Sequence, residues 1–278
     1  MESVFVFDSG SGGEFVTREL LRELPNENFV LFKDTQHCPY GTKSKRKLWH
    51  IVHKILAVAT KVVRPKAVVV ACNTASSLFE DKIRKKCADI PVFFVTPLIN
   101  EKILSQKTLI LATTRTAKCN KQIANAKQNP NCIVLGFDDL AKKIDLARLS
   151  SQAKADLKLY LLNKLSKYKT YGIKNVVLAC THYTYIKKPL REILGEVKFF
   201  EKSKIVAKEL KYFLQSNSDN LKNQTEQTTT KKDEKNNTQR KKQNKSISQL
   251  FKTQVVVVEN LQELKNIYEN KKSLPQKT

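Results

Sequence analysis

Residues 66–76 read KAVVVACNTAS, and residues 174–183 read KNVVLACTHY. Each stretch is a short apolar run, rich in Val, that ends in Ala-Cys and passes at once into polar residues. An unbroken apolar run of this length is typical of a strand that is buried on both faces of a parallel sheet. The two stretches therefore predict two buried strands, each of which ends with a thiol, Cys72 or Cys180, at the start of a polar loop.

The rest of the chain repeats this alternation of short apolar runs and amphipathic stretches. Strands are predicted over 4–7, 29–32, 67–71, 92–95, 108–112, 132–135, 175–179 and 197–200. Helices are predicted over 14–24, 44–63, 75–87, 116–127, 151–168, 184–194 and 203–214, and a final strand and helix within 253–270. Apolar strands that alternate with helices predict an α/β fold, with mainly parallel sheet flanked by helices.

One segment interrupts the pattern. Residues 216–249 are rich in Asn, Gln, Thr, Ser and Lys and contain no aromatic residue. Such a segment buries too little apolar surface to offset the entropy lost on ordering. We therefore predict a disordered low-complexity insertion over 216–249.

The composition limits the classes of protein. The chain has 278 residues and a net charge of +25. No apolar run approaches the roughly 20 residues of a membrane helix, and the N-terminal stretch lacks the basic start of a secretory signal, so we expect a cytoplasmic protein without a membrane partner. The charge is compatible with nucleic-acid binding at low salt, but no motif of a nucleic-acid-binding fold favours it.

The cysteines are scattered along the chain. They occupy positions 38, 72, 87, 119, 132 and 180 and form no CxxC pair. In a cytoplasmic chain this pattern predicts free thiols rather than a disulfide framework, and it disfavours a zinc site.

Polar residues cluster at four predicted strand ends, 8–13 (DSGSGG), 33–41 (KDTQHCPYG), 71–76 (ACNTAS) and 179–183 (ACTHY). Four of the seven glycines of the chain lie in the first two clusters. In parallel α/β sheets, ligands bind beyond the carboxyl ends of the strands. The clusters are therefore the candidate site.

The two strand-end cysteines permit two interpretations. A single such thiol is more often a small packing residue. Each cysteine here is followed by hydrogen-bonding residues at the start of a helix, which can stabilise a thiolate, so we favour one shared site. Asp8, which follows the first strand, is either a helix N-cap or a proton acceptor near a thiol.

Together, the motifs VFDSGSGG, DTQHCPYGTKS, VVVACNTAS and LACTHY resemble glutamate racemase, in the aspartate/glutamate racemase superfamily. The likeness covers residues 1 to about 214 and resumes at 253–270. It implies two similar α/β domains that face each other across an active-site cleft. The first comprises 1–96 plus 205–278, and the second comprises 97–204.

The resemblance implies interconversion of L- and D-glutamate without a cofactor or metal, supplying D-glutamate for peptidoglycan. Cys72 takes the proton from the D-isomer with Asp8 beside it, and Cys180 takes it from the L-isomer with His182 beside it. The implied substrate contacts are Asp8, Ser9, Tyr40, Gly41, Asn73, Thr74, Thr113, Thr116, Thr181 and His182.

The sequence departs from the family in four places. Ala179 and Thr184 flank the Cys180 motif where the family has Gly and Pro, and Glu201-Lys202-Ser203 stands where the family has Asp-Ser-Gly. Lys33 precedes Asp34-Thr35 where the family usually has Gly. The second-domain stretch that normally ends in a glutamate reads LGFDDLAKKIDL (135–146). Asp145, Asp138 and Asp139 are the candidates for the missing carboxylate.

Other readings of the chain stay open. One is a racemase of the same superfamily that acts on aspartate or another acidic amino acid, and another is a catalytically impaired basic binding protein. The expected partner is a small-molecule substrate, glutamate, and a homodimer is left open. His37, His50 and His53, and the four cysteines other than Cys72 and Cys180, are interpreted as surface or packing residues.

Overall fold

The computed structural model describes residues 3–228 and 255–269, and within them nine strands form two parallel sheets. The strands are β1 (Val4–Asp8), β2 (Phe29–Lys33), β3 (Ala67–Val70), β4 (Val92–Phe94), β5 (Thr108–Thr113), β6 (Cys132–Phe137), β7 (Asn175–Ala179), β8 (Lys198–Phe200) and β9 (Val255–Val258). The first sheet has the order β4-β3-β1-β2-β9, and the second has the order β6-β5-β7-β8. All pairings are parallel, as the alternating sequence pattern predicts.

Helices connect the strands. They are α1 (Gly12–Glu23), α2 (Lys45–Val62), α3 (Asn73–Lys86), α4 (Glu101–Leu104), α5 (Thr114–Cys119), α6 (Lys121–Ala126), α7 (Leu140–Ala147), α8 (Ser151–Leu165), α9 (Lys187–Leu194), α10 (Ser203–Thr228) and α11 (Leu261–Glu269). Short 3-10 turns lie at 35–37, 40–42, 166–171 and 181–186.

The central strands are buried on both faces. Every residue of β1, β3, β5 and β7 is buried. In β1, Phe5 and Phe7 point to one face and Val4 and Val6 to the other, so the strand contributes to two apolar clusters. Fully burying one such side chain stabilises the fold by about 1.5–3 kcal/mol, which explains why unbroken apolar runs decide the position of these strands.

The second sheet is built in the same way. Leu109 and Leu111 of β5 pack in one apolar cluster, while Ile110 and Ala112 pack in another on the opposite face. The two sheets thus have separate cores, in agreement with the predicted class of two α/β units.

Helix α10 corrects one prediction. It begins at Ser203, as expected, but continues to Thr228, so residues 216–228 of the predicted disordered insertion are helical. The segment contains neither Pro nor Gly, and Gln, Glu, Lys and Leu tolerate a helix well. Residues 229–249 of the prediction lie outside the described residues.

The helices between residues 114 and 147 also differ from the predicted ones. The helix predicted over 116–127 is split into α5 and α6, because Asn120 caps the second helix by accepting from the backbone N–H of Ile123. Helix α7 was not predicted. Its buried residues, Leu140, Ala141 and Ile144, form one short apolar face.

Within 3–228 and 255–269, no helix combines the length and the apolar character that crossing a bilayer requires.

Candidate active site

Strands from both sheets end at one small cavity. The residues that line it are Ser9, Cys38, Pro39, Tyr40, Gly41, Cys72, Asn73, Thr74, Thr113, Ala141, Cys180, Thr181 and His182. They follow strands β1, β2 and β3 of the first sheet and β5, β6 and β7 of the second. The structure therefore brings Cys72 and Cys180 to the same cavity, as the shared-site interpretation predicts.

Cys72 lies directly before helix α3, and its thiol is buried. Its Sγ lies 3.4 Å from Ser9 Oγ, and the backbone N–H of Ala75 points to the sulfur. The thiol donates to Ser9 Oγ, but if the sulfur were ionised both groups would donate to it and favour the thiolate. Burial and the neighbouring charge of Asp8 outweigh them and raise the pKa of the Cys72 thiol to about 12.

Asp8 is fully buried at the end of β1 and does not line the cavity itself. Burial raises the pKa of its carboxyl to about 6, although the charge of His182 and the backbone N–H groups of Ser9, Gly10 and Gly13 oppose the shift. Both Asp8 carboxylate oxygens lie 3.4 Å from Thr181 Oγ1, so Asp8 spans the boundary between the two sheets.

Cys180 faces a buried histidine. Its Sγ lies 3.9 Å from His182 Nδ1. Burial alone would lower the pKa of His182, but Asp145 and the sulfurs of Cys180 and Cys38 raise it well above its ordinary value. The raised pKa favours the protonated ring, and an imidazolium stabilises negative charge on a neighbouring sulfur.

Asp145 lies on the other side of His182. Its Oδ2 is 3.3 Å from His182 Nε2, which is an ion-pair distance, although the two groups are not aligned for a hydrogen bond. Its Oδ1 accepts a hydrogen bond from Ser11, which directly precedes α1 of the first unit. Despite partial burial, these contacts hold the pKa of the Asp145 carboxyl below its usual range.

The structure thus separates the three candidate carboxylates of the second sheet. Asp145 contacts His182, whereas Asp139 accepts a hydrogen bond from Tyr160 at 2.8 Å and pairs with Lys143. Asp138 is exposed. The sequence left the choice open because α7, which carries Asp145, was not recognised as a helix.

Three buried threonines join the two sheets. Thr74 Oγ1 lies 3.1 Å from Thr113 Oγ1 and 3.1 Å from Thr116 Oγ1, and Thr113 donates to Thr116 at 2.9 Å. Thr74 lies in the first turn of α3, whereas Thr113 ends β5 and Thr116 lies in α5. Thr116 does not line the cavity, so the structure places it behind Thr113 and Thr74.

The remaining predicted residues line the same cavity as Cys72. Tyr40 donates to Asp34 Oδ2 at 2.6 Å. A Cβ on Gly41 would lie 2.9 Å from Thr113 Cβ, so glycine permits the close approach of the two sheets here. Asn73 Oδ1 is buried and has no hydrogen-bond partner within the part of the chain that the structure describes.

Cys38 corrects the interpretation as an ordinary thiol. It lines the cavity, and its Sγ and the His182 ring both come within 3.2 Å of the position that a Cβ on Gly10 would take. Its place in the polar stretch 33–41 was the available signal. Among the described residues, Cys38, Asp145 and His182 are the group whose potential metal-ligand atoms lie within 4.8 Å of one another.

The other residues interpreted as structural lie elsewhere. His37 pairs with Asp34 at 2.7 Å, and the His53 ring packs 5.6 Å from Trp49. Lys33, which replaces the family's usual Gly, forms ion pairs with Glu14 and Glu259. A wider groove runs beside β2, α2 and β9, but none of the predicted site residues lines it, so we place the site at the narrow cavity.

Two parallel α/β units that each deliver one cysteine to a shared cavity, with a carboxylate beside one thiol and an imidazole beside the other, define the class of two-thiol amino-acid isomerases. No family model matches the chain. The glutamate racemase of Clostridium novyi is 36% identical over 200 residues, which cover 68% of this chain and 74% of the relative. The glutamate racemase of Campylobacter curvus is 34% identical over 204 residues, with coverages of 68% and 74%.

Solved structures agree with these relatives. Francisella tularensis glutamate racemase in complex with D-glutamate has a TM-score of 0.64 and 26% identity, covering 78% of this chain and 82% of its own. Escherichia coli glutamate racemase in complex with L-glutamate and the activator UDP-MurNAc-Ala has a TM-score of 0.66 and 25% identity, with coverages of 77% and 83%. The chain belongs to the glutamate racemase family, and it is an amino-acid racemase.

Proposed function

We propose that this protein interconverts L- and D-glutamate by moving the α-proton between Cys72 and Cys180, without a cofactor. The observation that carries the proposal is the arrival of one thiol from each sheet at the same cavity. Each thiol has its own titratable neighbour, since Asp8 acts on Cys72 and His182 lies beside Cys180.

Two thiols suit this chemistry for a geometric reason. Racemisation removes a proton from one face of the α-carbon and returns one to the opposite face. A thiolate on one face accepts the proton while a thiol on the other face donates one, and the roles reverse with the hand of the substrate. In our proposal Cys72 accepts from D-glutamate and Cys180 accepts from L-glutamate.

The protonation state of Cys72 in the free protein supports one starting point. Because its pKa is about 12, Cys72 is a thiol at neutral pH. His182 Nδ1 lies 3.9 Å from Cys180 Sγ, where a protonated ring would donate to a thiolate that forms there. A thiol at Cys72 and a thiolate at Cys180 form the state that accepts L-glutamate. The opposite state, with Asp8 assisting Cys72, accepts D-glutamate.

The lining residues also support binding of an amino acid. None of them is Lys or Arg, so the substrate carboxylates would be held by backbone N–H groups and hydroxyls rather than by side-chain cations. We assign this role to Ser9, Thr74, Thr113 and Thr181. The unpaired Oδ1 of Asn73 is available to accept from the substrate ammonium group.

The remaining contacts follow the family. Tyr40, Gly41 and His182 complete the proposed binding site, and Thr116 supports it from behind. The division of the chain into 1–96 plus 205–278 and 97–204 is proposed on the same basis, as are a cytoplasmic location and a role in supplying D-glutamate for peptidoglycan.

Solvent exchange tests the proposed reaction directly. We expect the protein to exchange the α-hydrogen of L-glutamate for deuterium in D2O and to form D-glutamate, with no added cofactor. Proton NMR and polarimetry follow the two events. Exchange with L-aspartate but not with L-glutamate would contradict the assignment of glutamate as the substrate. A folded protein that exchanges neither amino acid would contradict the proposed reaction altogether.

The pH dependence should report Asp8. Ionised Asp8 assists Cys72 in our proposal, and its pKa is about 6. As pH falls through that value the carboxylate is protonated, so kcat/KM should fall about tenfold per pH unit below it. His182 remains charged in this range and Cys72 remains a thiol in the free protein, so neither produces an inflection near pH 6.

Asp8→Asn tests the origin of this inflection, and Asp34→Asn is the matched control. The variant should be slower at neutral pH and should lose the inflection near pH 6, while Asp34→Asn should retain it. The same profile must appear with L- and D-glutamate, because an equilibrium constant of unity makes kcat/KM equal in the two directions. An unchanged inflection in Asp8→Asn would assign the titration to another group.

A further inference from the structure

Three side chains that could together bind a metal ion lie at the boundary between the two sheets. The proposed racemase mechanism assigns no role to Cys38, which is one of them. The atoms are Cys38 Sγ, a carboxylate oxygen of Asp145 and a ring nitrogen of His182, all within 4.8 Å of one another. Thiolate, imidazole and carboxylate are the three ligand types that Zn²⁺ prefers in proteins. We propose that the three residues bind Zn²⁺ and that the ion inhibits the protein.

The free atoms of this group point toward one another. His182 Nε2 is buried in a side chain that is 1% exposed, and it has no aligned hydrogen-bond partner among the described residues. Asp145 uses Oδ1 for Ser11 and leaves Oδ2 at 3.3 Å from His182 Nε2. Only a neutral imidazole ligates a metal, so His182 would release its Nε2 proton as Zn²⁺ binds. The ion would then take the place of that proton between His182, Asp145 and Cys38.

The spacing fits a tetrahedral ion after a small adjustment. Zinc bond lengths of about 2.0–2.3 Å place neighbouring ligand atoms roughly 3.5 Å apart. The separation of His182 Nε2 and Asp145 Oδ2 already matches this value. Cys38 is only partly buried, so rotation of its side chain can bring Sγ closer. The three residues leave the fourth position open to water or a substrate carboxylate.

The ligands come from three separate parts of the chain, the loop after β2, helix α7 and the 3-10 turn at 181–186, which explains why their sequence spacing gave no zinc signature. Cys38 lies after β2 of the first sheet, whereas Asp145 and His182 belong to the second sheet. An ion here would link the two units across the cleft. It would also bind the imidazole of His182, so that this ring could no longer carry the proton that assists Cys180. Bound Zn²⁺ should therefore both hold the two units together and inhibit proton transfer at Cys180.

Direct metal binding tests the site independently of catalysis. Zn²⁺ affinity of the full chain is measured by competition with a chromophoric chelator, and Co²⁺ is added separately as an optical probe. We expect tight 1:1 binding of Zn²⁺ and a thiolate-to-cobalt charge-transfer band. Even outer-shell substitutions weaken metal sites by about 10–100-fold, so Cys38→Ser and Asp145→Asn should each lower the Zn²⁺ affinity at least about tenfold. Cys38→Ser should also remove the cobalt band.

Cys119→Ser is the matched control, because Cys119 is an exposed thiol away from the cavity. It should bind Zn²⁺ like the unmodified protein. Inhibition, expressed relative to the metal-free rate of each protein, should weaken in Cys38→Ser in parallel with affinity. Unchanged affinity in Cys38→Ser, or a cobalt band that persists in it, would assign the metal to the other thiols and overturn the proposal. Absence of 1:1 binding in the unmodified protein would overturn it as well.

Discussion

Cys72→Ser and Cys180→Ser should each lower glutamate racemisation by about 10²–10⁴-fold, the range that a positioned acid or base contributes. A serine hydroxyl has nearly the shape of the thiol but is a far weaker acid, so the loss should reflect proton transfer rather than packing. Polarimetry of purified variants measures it, with thermal unfolding to confirm that both fold.

The isotope pattern should distinguish the two variants. With only Cys72 left, the protein should wash deuterium into D-glutamate faster than into L-glutamate, and with only Cys180 left the preference should reverse. Cys87→Ser is the control, since Cys87 is buried in the apolar cluster on one face of the first sheet. Equal loss of exchange for both isomers in both variants would contradict the assignment of one thiol to each face.

Gly12→Ala should lower kcat/KM by about 100-fold, because misplacing catalytic groups by about 1 Å costs this much. Gly12 begins α1 of the first sheet. A Cβ there would lie 2.6 Å from Thr181 Cβ and 2.9 Å from the backbone nitrogen of His182, both of the second sheet. The methyl group would therefore hold the two units apart at the point where the proposed thiols meet.

Gly172→Ala is the comparison for this effect. Gly172 is exposed and has φ +66°, and among the described residues no atom lies within 4 Å of the position that a Cβ would take. The left-handed conformation costs a non-glycine residue roughly 1–2 kcal/mol, so the variant should unfold at a lower temperature while kcat/KM stays the same. If Gly12→Ala retains full activity, close contact between the two units at this position is not required.

The described strands and most helices follow from local sequence. Runs such as 67–71 and 175–179 are apolar enough that only burial on both sheet faces accommodates them, and the alternation with helices then dictates parallel pairing. The polar residues after each run marked the site for the same reason, because strand carboxyl ends collect at one edge. The long polar helix α10 was harder to foresee, since its second half lacks the apolar periodicity on which helix recognition depends.

The sequence by itself determined the two α/β units, the two strand-end thiols and the polar residues beside them. Tertiary structure alone decided which carboxylate meets His182, and it brought Cys38 to the same histidine. Asp138, Asp139 and Asp145 are chemically equivalent in the sequence, and only the packing of Leu140, Ala141 and Ile144 turns α7 so that Asp145 faces His182. Contacts between loops that lie more than a hundred residues apart depend on how the two sheets face each other, and no local pattern encodes that arrangement.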